Sequence, residues 1–128
     1  MDQAWKRWIL YVAAAWNIVG GVLALLDPAK HFASIYTTSL NVADPLHLFF
    51  FRCVWINVIA WGLAYALAAI WPSSRRAVLI AGGAGKLFYA VACAALFSSG
   101  VGKPILLVPA LVDTLFAAAF AAILVRDR

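Results

Sequence analysis

The sequence predicts an all-α fold, an integral membrane antiparallel four-helix bundle, on two observations. Of 128 residues, 66% are hydrophobic and only 12% are charged, with a mean hydropathy of +0.96; a water-soluble chain this small has too little interior to hide so much apolar surface. The apolar residues also fall into four runs, about 5–26, 46–71, 77–97 and 104–125, each long enough to cross a ~30 Å hydrocarbon core as a helix. Strands of a membrane barrel would alternate apolar and polar residues, which these runs do not. The reading is one transmembrane domain over 1–128, with no stretch left for a soluble one.

The first span opens on the basic "MDQAWKRW" and resembles a secretory signal. It is too long for an apolar signal core, contains Asn17, and runs into "DPAKHF" without a small-x-small cleavage motif, so it is read as a retained span. In the loop that follows, Asp27 and Pro28 form a helix start, and Phe32, Ile35 and Tyr36 recur at helical spacing. This predicts a short interfacial helix in the first outer loop. Asp44 and Pro45 repeat the start signal for the second span. "PSSRR" is read as the turn into the third span, and "SSGVGK" as the turn into the fourth.

Orientation follows from the loop cations. Lys6, Arg7, Arg75, Arg76, Arg126 and Arg128 fall on the side of the termini, against Lys30 and Lys103 on the other. The positive-inside rule then puts both termini in the cytoplasm. The net charge of +5 is thus a topology signal; a nucleic-acid partner would need a basic surface outside the bilayer.

Polar groups inside the spans carry the functional question. Arg52, Lys86 and Asp113 lie in the second, third and fourth spans, with Asn17 and Asn57 in the first and second. A charge at mid-span costs about 2.5–3.5 kcal/mol on insertion scales, so such groups turn inward and find partners. Lys86 and Asp113 each lie about nine or ten residues into their spans, near the midplane at 1.5 Å per residue, and are the natural ion pair. Arg52 is nearer the outer end, within reach of Asp113 or of the headgroups. If all three are ionised, one positive charge is left over, to be neutralised, solvated or matched by an anion.

Helix faces point to a shared centre. Gly82, Lys86, Tyr89 and Cys93 form one stripe of the third span, and Pro109, Ala110, Asp113, Ala117 and Phe120 one of the fourth. Asn17 sits among Ala13, Gly20, Gly21 and Ala24, a small-residue face suited to close helix contact. Gly82 or Gly85 is expected to bring a neighbouring helix near enough for Lys86 to reach Asp113. Tyr65, Tyr89 and Trp61 are the candidate walls of a ligand site.

Other chemistry is weakly supported. "GGAGKL" fails as a phosphate loop: Ile80 stands where the first glycine belongs, Leu87 follows Lys86, and no strand precedes it. Cys53 and Cys93 read as free thiols. His31 and His47, with Asp27 and Asp44 nearby, lack a metal-ligand spacing, and no metal or other cofactor is expected.

"WNIVGGVLAL", "GLAYALAA", the basic turn after Pro72, "GGAGKL" and the segment around Asp113 resemble small bacterial four-span membrane proteins of the DoxX-like type. The resemblance implies a fold with a polar core and, with the topology, a bacterial inner membrane. Some DoxX-like proteins are associated with thiosulfate and quinone oxidation or with membrane complexes, but this chain has no paired cysteines or mid-span histidine for redox chemistry.

Three function classes follow. The preferred one is a non-catalytic accessory or structural subunit of a membrane complex, or a homo-oligomer, with Lys86 and Asp113 as a structural pair. The second is a binder of a small anionic, lipid-like or quinone-like molecule held by Lys86 and Arg52. The third is a lipid- or isoprenoid-modifying enzyme using Asp113, against which stands the lack of a second acid in the spans.

Overall fold

The computed structural model describes residues 2–127. Its first helix, α1, Asp2–Leu26, has 25 residues, about 37 Å of helix. It stops at Asp27, because a residue before proline is pushed out of the α region; Asp27 is extended at φ −145°. The Asp27 carboxylate accepts from the Lys30 amide, and Pro28 opens α2, Pro28–Ile35, the short helix of the outer loop. Asp44 repeats the device for α3, Pro45–Ile70, accepting from the amides of Leu46 and His47.

The next helix, α4, Pro72–Ser98, begins after a single residue, Trp71. This corrects the expected turn at "PSSRR", which is instead the start of α4. Proline marks turns and first helical positions alike, and here the second role wins. Ser74 Oγ donates to the Trp71 carbonyl. Arg75 turns inward, its Nε donating to the Ala68 carbonyl and its Nη1 to Gln3 Oε1 at 2.7 Å.

At the other end of α4, Gly100 adopts φ +81°, the left-handed conformation that closes helix C-termini. A 3₁₀ turn, Pro104–Leu106, then leads into α5, Leu107–Arg126. The outer connections are tied to each other by backbone bonds around Tyr36 and Gly102: Thr37 N–H donates to the Val101 carbonyl and Lys103 N–H to the Ile35 carbonyl, both at 2.8 Å.

The four long helices, Gln3–Leu26, Pro45–Ile70, Pro72–Ser98 and Pro104–Arg126, are each apolar and long enough to cross a membrane; the chain is a polytopic membrane protein. They form an antiparallel bundle in which α1 packs most extensively on α3 and α4 on α5, with α3 against α4 joining the two pairs and a sparse contact between α1 and α5. The larger core, near the chain ends, gathers Leu10, Ala14, Tyr65, Ala68, Leu79 and Phe120. A smaller one at the opposite end holds Ala90, Cys93, Leu106 and Ala110, with Tyr36 and Tyr89 against it.

Candidate functional site

Between the two cores lies a polar centre. The stripe of α4 that carries Gly82 and Lys86 faces the stripe of α5 that carries Ala110, Asp113 and Ala117, all of them buried. Lys86 Nζ donates to Asp113 Oδ1 at 2.7 Å and to Asn17 Oδ1 at 3.0 Å. The Asn17 amide in turn donates to the Val58 carbonyl at 3.2 Å. One chain of hydrogen bonds therefore crosses all four long helices, from α5 through α4 and α1 to α3. Val58 accepts this bond on an oxygen with a second lone pair to spare.

Aromatic rings close what remains around the ammonium. Lys86 Nζ lies 5.0 Å from the Phe116 ring centroid and 5.6 Å from that of Tyr65, both within cation–π range. Tyr65 packs on Phe120 at 5.2 Å. Lys86 is 5% exposed and Asp113 6%. In such surroundings an ion pair survives only when each charge has its partner and its remaining hydrogen bonds.

Close helix approach makes the geometry. A Cβ on Gly82 would strike the Tyr65 hydroxyl and ring, and one on Gly62 would meet the Ala14 carbonyl and Asn17. These glycines let α4 and α1 approach α3 around the polar centre. Gly85 does not share the role: nothing lies within 4 Å of the position its Cβ would take.

Of the candidate residues, Lys86, Asp113 and Asn17 come together, with Tyr65 over the ammonium. Tyr89 is half-buried in the outer core, and Trp61 is exposed, touching Tyr65 at 6.0 Å between centroids. Arg52 and Asn57 stand apart from the centre. Arg52 is exposed near the outer end of α3, and the Asn57 amide folds back on the Cys53 carbonyl of its own helix at 3.0 Å. The leftover positive charge expected at the centre is thus not found there.

The Val58 carbonyl and Phe116 escaped sequence reading. Phe116 had a usable signal, three residues beyond Asp113; a backbone carbonyl has none. A second buried ionic group, Lys6 with Asp127, was also missed, because Lys6 counted only towards topology. Lys6 is 1% exposed and donates to Asp127 Oδ1.

Elsewhere the chemistry is sparse. His47 Nδ1 lies 3.7 Å from Asp44 Oδ2, whereas His31 packs on Trp55 at 4.8 Å. Among the described residues no group of three or more His, Cys, Asp or Glu side chains comes together. Both cysteines are free thiols. A cavity of about 310 Å³ at the chain ends is lined by Gln3, Arg75, Arg76 and Asp127, and an apolar groove of about 400 Å³ lies between α1 and α5. Lys86 and Asp113 line neither. Comparison with family models, curated proteins and solved structures yields no match to this chain.

Proposed function

We propose that the chain is a non-catalytic subunit of a membrane complex, related to the DoxX-like proteins and lying in a bacterial inner membrane with both termini cytoplasmic. The observation that carries the non-catalytic reading is the closure of Lys86, which is 5% exposed and shared between Asp113 and Asn17. A general acid or base must reach its substrate, and Asp113 faces its ammonium partner from within the bundle. A ligand anion at this position would have to displace Asp113 from Lys86. With Arg52 exposed, the centre has one positive and one negative charge and no surplus to attract an anion. The cytoplasmic placement of the termini rests on the six cations at that end of the sequence's spans against two at the other.

Extraction of the natural membrane in a mild detergent, followed by mass spectrometry, tests this reading. The expected result is a membrane-protein partner in stoichiometric amount. Recovery of the chain alone, carrying a bound quinone, would overturn it and favour the binder.

A further inference from the structure

The groove between α1 and α5 follows one stripe of each helix: Trp8, Ile9 and Val12 on one wall, Leu115, Phe116 and Ala119 on the other. Every one of these side chains is apolar, and the groove opens sideways to the hydrocarbon. Two turns further along the same stripes, about 10.5 Å nearer the chain ends, come Trp5 and Arg126. The Arg126 guanidinium lies 5.2 Å from the Trp5 ring centroid, so a cation caps the groove where the bilayer meets water. Arg126 is exposed and makes no hydrogen bond or ion pair among the described residues; its neighbour Asp127 is committed to Lys6.

We infer that this groove binds one anionic phospholipid of the leaflet at the chain ends, an acyl chain along Val12, Phe116 and Ala119 and the phosphate on Arg126. The apolar walls select hydrocarbon, and the guanidinium, with five donors in a planar fork, selects a phosphate oxygen pair. The surrounding surface supports the choice of charge, because Arg7 and Arg76 are also exposed at this end. A second copy of the chain fits less well. A two-fold axis along the bilayer normal sets identical residues against each other, which would bring two Arg126 guanidinium groups together.

The test uses the full chain, purified in an uncharged detergent and titrated by native mass spectrometry with phosphatidylglycerol or phosphatidylcholine of identical acyl chains. The expected result is a one-to-one adduct retained about fivefold more strongly with phosphatidylglycerol, the effect of one cation at a membrane surface. Arg126→Gln should remove that preference, weakening the phosphatidylglycerol adduct more than the phosphatidylcholine adduct, whose phosphate charge is already offset by its choline. Arg76→Gln should keep it. Ala119→Trp should fill the groove and abolish both adducts, with Ala119→Leu as the milder variant if the tryptophan disturbs folding, judged by circular dichroism. Equal retention of the two lipids by the unmodified chain, a preference that survives Arg126→Gln, or its equal loss in Arg76→Gln would each overturn the inference. So would a lipid-free dimer as the dominant species.

Discussion

Lys86 and Lys6 are both buried lysines paired with an aspartate near or within α5, yet they are built for different surroundings. Around Lys86 the contacts are the Asp113 carboxylate, its side chain 9% exposed, the Asn17 amide and two aromatic rings. Lys6 is as deeply covered, but its partner Asp127 keeps 33% of its side chain exposed. Depth explains the difference. At the midplane no water can complete a half-satisfied charge, so the protein supplies every contact; at the membrane edge the carboxylate retains part of its hydration.

The strongest way to break this comparison is to remove one charge at the midplane. Lys86→Met or Asp113→Leu alone should cost about 3–5 kcal/mol by stranding the other charge, and the double variant should recover most of that loss. Thermal unfolding in detergent reads both, and a double variant as unstable as the singles would show that the pair is not what the bundle depends on. Lys6→Met should cost less, about 2 kcal/mol, since Asp127 can turn to water. Equal losses for Lys6→Met and Lys86→Met would sink the argument from depth.

Packing around the centre gives a smaller effect with opposite signs at two glycines. Gly82→Ala drives a methyl into Tyr65 and should cost about 1–3 kcal/mol. Gly85→Ala meets open space and should gain up to about 1 kcal/mol from helix propensity. Melting temperatures that move in the same direction would contradict the assignment of Gly82 as the close-contact position.

The smallest effect sharpens the comparison with a buried base that found no acid. His31 Nε2 is buried without a hydrogen-bond partner among the described residues, and burial holds the imidazole below its ordinary 6.5. A depressed histidine favours the neutral form in the fold, so its contribution is full above about pH 6.5 and is lost as pH falls towards the folded value. Denaturant unfolding at about pH 7.5 and 5.5 should show lower stability at the acid end, reduced in His31→Leu. An unchanged difference in that variant would place the pH effect elsewhere.

Much of this was legible in the chain. Hydropathy located the spans to within a few residues, and the Asp-Pro pairs at 27–28 and 44–45 marked two helix starts because each combines a capping carboxylate with a residue that needs no N–H partner. Equal depth along the spans singled out Lys86 and Asp113. What stayed hidden depends on rotation and backbone. Arg52 and Asn57 sit in a span that is apolar almost all round, so periodicity could not say which face they take. "PSSRR" has the composition of a turn, and what makes it helix here, Pro72 in the first turn and the bonds of Ser74 to Trp71 and of Arg75 to Ala68 and Gln3, depends on neighbours that composition does not show. The two loops away from the chain ends are joined mostly through backbone groups, which leave no mark on side-chain identity, with Thr37 Oγ1 and Lys103 Nζ adding bonds to carbonyls of the facing loop.

The contact between α1 and α5 has a mechanical meaning. Residues 27–44 bridge α1 to α3, Trp71 alone bridges α3 to α4, and 99–106 bridge α4 to α5, while the seam from α5 back to α1 has no connecting segment and is crossed by side-chain contacts such as Lys6 with Asp127 and Arg126 with Trp5. The bundle is a book whose spine is Trp71 and whose open edge is the α1–α5 seam. To part its covers along that edge would unthread no covalent connection, but would break the Thr37–Val101 and Lys103–Ile35 backbone bonds and the Lys86–Asn17 bond, so the polar centre and the far loops act as the clasps that hold it shut.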